Sequence, residues 1–330
     1  MQALLCRHWG GPDSLHLETV PAPLAGQPLP ADAVRVAVHA AGVNFADTLI
    51  IAGKYQHRPP LPFIPGFEAA GVVQETGAAV SHVQPGDRVM ATVDDGAFAD
   101  ELVARSQDVH PIPASMDFVT AAGFPIAYGT SHLGLRDKGL LQAGDILLVH
   151  GAAGGVGLTA VEIGRILGAT VIATAGGPEK MAIARDHGAD HVLDSRGDDI
   201  RARVKEMTDG RGVDVVYDPV GGALFDASLR CVAWNARLLL VGFASGTVPQ
   251  IPANLLLVKN VSALGYSWGS YRRHAPARVD ESFRELMGWF QSGRLRPHVS
   301  HVLPLAEASA ALNLLQERAT TGKVVLRVRA

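Results

Sequence analysis

The chain has 330 residues, enough for two domains of ordinary size with a sizeable core, which excludes a disulfide-stapled miniature. Hydrophobic residues make up 48% and charged residues 18%, with a formal net charge of -3, the balance of a globular protein rather than a disordered tail. No basic block marks nucleic acid as a partner, and no run approaches the roughly 20 apolar residues of a membrane span.

Residues 1–10 lack the charged start and apolar core of an export signal. Cys6 and Cys231, the two cysteines, stand far apart and build neither a disulfide framework nor a multi-cysteine zinc lobe. A cytoplasmic, reducing location is therefore expected. From 34 to 103 the pattern is short β-type runs, 34–40, 70–75, 88–92 and 98–103, cut by Gly and Pro turns such as Gln84-Pro85-Gly86-Asp87. The 36 glycines and 20 prolines form no low-complexity run and so serve separate turns.

From about Thr120 apolar strands alternate with amphipathic helices, the signature of βαβ units on a parallel sheet. Strands are predicted at 146–149, 170–174, 191–193, 213–217, 237–241 and 261–264, with helices at 156–167 and 179–187. Six parallel strands with crossovers make a doubly wound sheet, giving an α/β fold class. A long helix is predicted at 279–291, and the terminal alternation Lys323-Val324-Val325-Leu326-Arg327 suits a strand that closes the N-terminal β domain.

The segment Gly151-Ala152-Ala153-Gly154-Gly155-Val156-Gly157 joins a buried strand to a helix. Glycines there let backbone approach a pyrophosphate, which the helix N-terminus attracts. A fold that binds NAD usually carries a carboxylate about 20 residues on, at the tip of the second strand, to hold the ribose hydroxyls. Here the tip reads Thr174-Ala175-Gly176-Gly177-Pro178-Glu179-Lys180, with no carboxylate before the helix. Lys180, with Arg196 beyond the next strand, favours the 2′-phosphate of NADP; each is otherwise a solvated surface cation.

With Gly42-Val43-Asn44-Phe45-Ala46-Asp47, Pro65-Gly66-Phe67-Glu68-Ala69-Ala70-Gly71 and Val213-Asp214-Val215-Val216-Tyr217-Asp218-Pro219-Val220-Gly221-Gly222, this loop resembles the zinc-independent NADPH:quinone oxidoreductases of the medium-chain dehydrogenase/reductase superfamily. The resemblance covers nearly the whole chain. It implies a GroES-like catalytic domain from residues 1–123 and 266–330, with a Rossmann NADP-binding domain, 124–265, inserted in it. The zinc alcohol dehydrogenases share that fold, with Cys where this chain has Asn44 and His where it has Phe67; neither replacement is a good zinc ligand, so no metal is expected.

Without zinc, the natural reaction is hydride transfer from NADPH to an acceptor that is already electrophilic, a quinone or an activated double bond. The resemblance places Asn44 near the nicotinamide ribose or the substrate; a turn-capping Asn is the alternative. Tyr55 matches a tyrosine at the family's active-site mouth and is the candidate acid, or otherwise a wall aromatic. Leu49 stands where quinone reductases have a second tyrosine, which makes the pocket more apolar. Thr130, Gly242 and Phe243 are implied cofactor contacts beside Gly154, Gly155, Val156, Gly157 and Gly176, and Lys323 is a further phosphate partner by analogy or otherwise a solvated strand end. Asp47 is read as a helix cap. Many such reductases are homodimers joined at a sheet edge, which residues 255–258 and 261–264 suit. An enoyl or alkenal reductase is the alternative enzyme, and a non-catalytic NADPH-binding protein the third reading.

Overall fold

Val34, Val36 and Val38 alternate with Arg35, Ala37 and His39 in the eleven-residue strand Ala33–Val43, the valines wholly buried. In the computed structural model, which describes residues 1–329, this strand is the spine of the first of two units, Met1–Ile126 with the chain from Pro297 onward. It pairs antiparallel with Glu68–Thr76, Glu101–Arg105 and the C-terminal strand Lys323–Arg327. The last pairing sets Val324 opposite Val43 and Leu326 opposite Ala41, so the end of the chain closes the N-terminal β structure. Arg88–Thr92 and Val109–Pro111 extend the sheet on one side and Val299–Pro304 on the other. Of the run predicted at 98–103, the strand proper is Glu101–Arg105, while Ala99 turns instead to an antiparallel bridge with Ala3.

The second unit, Ala127–Arg296, holds six parallel strands in the order His191–Asp194, Thr170–Ala175, Ile146–Val149, Val213–Asp218, Val232–Leu240, Ser262–Gly265. Numbered along the chain this is 3-2-1-4-5-6, the doubly wound order, in which ligands bind at the carboxyl ends of the strands. The helix Gly155–Ile166 packs on the sheet through Gly164, where a Cβ would stand 2.6 Å from Leu147. Helices at Ile200–Met207, Ala223–Cys231 and Ala253–Lys259 lay outside the sequence expectation. The last of them carries four consecutive apolar residues, a run that masks helical periodicity.

The boundary expected at 266 is corrected by these contacts. Residues 266–296 belong to the second unit: Ser282 hydrogen-bonds His132 at 2.8 Å, Arg278 pairs with Asp137 at 2.7 Å, and the Trp268 and Phe283 rings meet edge to face. The helix Pro276–Gln291 buries Val279, Phe283 and Leu286, a 3.6-period stripe for which this unit supplies the cover. No helix among the described residues is long and apolar enough to cross a membrane.

Candidate active site

The candidate residues fall into two groups, one in each unit. In the second unit the strand Ile146–Val149 runs into a turn at Gly151, whose φ of 59° is the left-handed region that glycine alone enters freely. Gly154 is the N-cap of the helix Gly155–Ile166, and its N–H closes the turn on the Gly151 carbonyl at 2.9 Å. At Gly157 a Cβ would stand 2.2 Å from the Gly151 oxygen, so the first helical turn rests directly on the loop. Gly155, Val156 and Gly157 thus offer unpaired N–H groups at a helix N-terminus, where an anion is favoured.

At the tip of Thr170–Ala175 the structure brings Arg196 across the chain. A Cβ on Gly176 would stand 2.8 Å from Arg196 Nε, and one on Gly177 3.6 Å from an Arg196 terminal nitrogen. The guanidinium therefore lies over the bare backbone of the strand tip. A carboxylate that the sequence did not reveal is there too: Asp194, from the neighbouring strand, accepts the Gly177 N–H at 3.3 Å and the Arg196 N–H at 3.0 Å. Lys180, partly buried, occupies the first turn of the helix Pro178–Asp186. Gly242 and the exposed Phe243 leave the carboxyl end of Val232–Leu240, beside Pro219–Gly222, with the Ala244 N–H bonded to the Pro219 carbonyl at 3.1 Å. Thr130 is buried on the helix Pro125–Leu133. One turn of that helix gives the Tyr128 hydroxyl to Glu162 at 2.6 Å, and Gly129 leaves the room that Trp268 fills. The donors and bare glycines of this unit fit a dinucleotide carrying an extra phosphate.

In the first unit Asn44 is the N-cap of the helix Phe45–Ile51. Its backbone N–H donates to Asp47 Oδ2 at 2.7 Å, so the cap expected of Asp47 is the return half of a capping arrangement. The Asn44 side chain faces two charged neighbours. Its Nδ2 donates to Glu68 Oε1 at 2.9 Å, and its Oδ1 accepts from Lys323 Nζ at 2.7 Å. Glu68 is wholly buried and receives Lys323 Nζ at 2.8 Å and the Ile126 N–H at 2.9 Å.

Lys323 corrects the sequence expectation. An ammonium has three N–H donors, and its third goes to the Val43 carbonyl at 3.1 Å, which leaves none for a phosphate. Around Glu68 the donor set is an amide, an ammonium and a backbone N–H, with Phe67 as neighbour; a tetrahedral zinc ion uses none of these as ligands. The missed signal was Glu68 itself, a carboxylate in an apolar strand run, which burial obliges to find a cation.

Tyr55 is partly buried, its ring tilted against Phe67 with centroids 5.6 Å apart. Burial first, and then the charges of Asp47 and Asp94, push its phenol up, so the proton stays on oxygen at neutral pH. Burial also pushes Asp47 up to about 8, against hydrogen bonds from Asn44 and Gly66 that favour its charge. His57 meets Asp95 at 2.7 Å nearby in the sequence, a pair that no motif announced. Leu49, the apolar departure, lies on the helix Phe45–Ile51.

Residues 30–114 match the family described as alcohol dehydrogenase GroES-like domain, and 155–292 the one described as zinc-binding dehydrogenase. A quinone oxidoreductase-like protein 2 homolog of Nematostella vectensis is 43% identical over 90% of this chain and 82% of its own. The quinone oxidoreductase of Pseudomonas aeruginosa is 36% identical over 96% of this chain and 97% of its own. Among solved structures, Escherichia coli quinone oxidoreductase complexed with NADPH superposes with a TM-score of 0.92 at 32% identity, over 99% of this chain and 100% of that one. The chain belongs to the quinone oxidoreductases of the medium-chain dehydrogenase/reductase superfamily.

Proposed function

We propose that the protein is an NADPH-dependent oxidoreductase that delivers hydride to quinones or related electrophilic acceptors without zinc. The observation that carries this reading is the Gly151–Gly157 loop at a helix N-terminus, with Arg196 laid over Gly176 at the neighbouring strand tip. Bound NADPH would supply the hydride. Gly155, Val156 and Gly157 hold the pyrophosphate through backbone N–H groups, Gly154 lets it approach as the bare N-cap, and Arg196 and Lys180 take the 2′-phosphate. Asp194 is held by two backbone N–H groups, those of Gly177 and Arg196. Thr130, Gly242 and Phe243 contact the nicotinamide half. Asn44 donates a hydrogen bond to cofactor or substrate, and Tyr55 gives the proton that the reduced acceptor needs. Residues 1–123 with the C-terminal strand form the GroES-like catalytic part, and the Rossmann part binds the cofactor.

A specific observation supports a second reading, reduction of an activated double bond: a 2-haloacrylate reductase superposes with a TM-score of 0.86 at 33% identity over the full length of both chains. Steady-state NADPH oxidation against a panel of quinones, alkenals and enoyl thioesters separates the two. Turnover of quinones at the highest kcat/KM supports the first reading, preference for alkenals or thioesters the second, and no turnover with any refutes both.

We further infer a homodimer. Leu257 and Val258 are 81% and 76% exposed and Trp234 75%, beside the edge strand Ser262–Gly265, an apolar surface that a second copy would cover. Cys6 and Cys231 as free buried thiols accord with a reducing, cytoplasmic setting.

A further inference from the structure

Three residues far apart in sequence meet in the first unit around one buried carboxylate. Lys323 Nζ donates to Val43 O, Asn44 Oδ1 and Glu68 Oε1 at 3.1, 2.7 and 2.8 Å. Asn44 Nδ2 donates to the same Glu68 oxygen at 2.9 Å, while the Ile126 N–H holds the other. The backbone is cleared for this cluster. A Cβ on Gly42 would lie 2.4 Å from the Ala122 carbonyl and 2.5 Å from Glu68 Oε1, and one on Gly123 3.2 Å from Lys323 Cβ.

The charges decide which way the Asn44 amide faces. Turned by 180°, its NH2 would meet the ammonium and its carbonyl the carboxylate, exchanging two charge-assisted hydrogen bonds for two repulsions. The observed orientation spends one Nδ2 hydrogen on Glu68, and the other has no partner among the described residues.

We propose that Lys323 is a positioning residue: acting with Glu68, it locks the Asn44 amide so that the remaining N–H is held ready for the ligand, and it makes no phosphate contact. The inference rests on the reading of Asn44 as a ligand-facing donor. Its consequence is that the end of the chain, through the strand Lys323–Arg327, completes a site begun 279 residues earlier.

The test uses full-length protein labelled with 15N and the double variant Lys323→Met/Glu68→Gln. The double variant leaves no uncompensated buried charge and so avoids the unfolding that Lys323→Met alone invites. The Asn44 side-chain NH2 signals are identified by their loss in Asn44→Ala. In the wild type they exchange slowly with solvent; in the double variant exchange accelerates tenfold or more, kcat for NADPH oxidation falls about tenfold, and the salt dependence of NADPH binding is unchanged. Unaltered exchange of the Asn44 signals overturns the proposal. So does a flattened salt dependence of NADPH binding, since that reports the loss of a phosphate contact. The exchange readout needs no turnover: a wild type inactive with every acceptor sinks the reductase reading, while the Asn44 signals still decide the role of Lys323.

Discussion

Gly157 gives the sharpest test of the phosphate loop. Alanine there has two opposed effects. It favours the helix by about 1 kcal/mol over glycine. Its Cβ, however, would fall 2.2 Å from the Gly151 oxygen, 2.7 Å from the Gly151 carbonyl carbon and 2.9 Å from Ala152 Cα, all of them loop backbone. Restoring an ordinary contact of roughly 3.4 Å moves the loop about 1 Å from the helix. A displacement of that size breaks one N–H contact to a phosphate, about 1.5–3 kcal/mol when the partner is charged. Gly157→Ala should therefore weaken NADPH about 10- to 100-fold. Titration of NADPH fluorescence, with Tm measured on the same samples, reads the effect. Gly164→Ala is the control: its Cβ would meet the tip of the Leu147 side chain at 2.6 Å, so Tm falls while the folded molecules bind as before. Wild-type affinity in Gly157→Ala would refute the assignment of this loop to the pyrophosphate.

Arg196→Ala should weaken NADPH about tenfold or more and leave NADH unchanged, since one charge-assisted contact of about 1.5–3 kcal/mol is lost; equal losses for both would remove Arg196 from the 2′-phosphate. Tyr55→Phe should lower kcat by about 10²-fold, the lower range for a lost general acid, with NADPH affinity intact; an unchanged kcat under saturating substrate would leave Tyr55 as a wall residue. Burial raises Asp47 from 3.8 to about 8. The folded chain thus keeps a proton that the unfolded chain releases, and stability falls as pH rises from about 4 to 8 by up to about 1.4 kcal/mol per unit, then levels. Asp47→Asn should flatten that slope in denaturation midpoints taken at pH 5 and 7.5, and parallel slopes in the two proteins would contradict the buried, protonated carboxyl. If the proposed homodimer forms, Leu257→Lys should convert it to monomer in sedimentation at micromolar concentration; a wild type already monomeric there would end the edge-pairing proposal.

The second unit was legible because its signals are local. The 146–149 strand, the glycine turn and the helix after it are contiguous, and five of the six strands stood within a residue or two of their expected limits. The exception, Val232–Leu240, begins earlier than the apolar run at 237–241 because the pattern is interrupted at Trp234 and Asn235, where Asn235 turns to a φ of 63° and the pairing with Val213–Asp218 shifts register. The helix Pro276–Gln291 was legible as a helix, yet its membership was not. An amphipathic stripe states that a face is covered without stating by what, and His132, Asp137 and Trp268 supply the cover.

The site divides along the same line. Composition and motif by themselves determined a parallel nucleotide fold and a glycine turn leading from its first strand into a helix, because each is a property of neighbours in the chain. Only the tertiary structure decided that Arg196 lies over Gly176, that Asp194 stands beside it, and that Lys323 belongs to Glu68 and Asn44. These pairings join residues distant in the chain, and periodicity carries no record of a partner's position. A buried carboxylate must find a cation; which cation is a matter of geometry, and here the ladder between Lys323–Arg327 and Ala33–Val43 settles it.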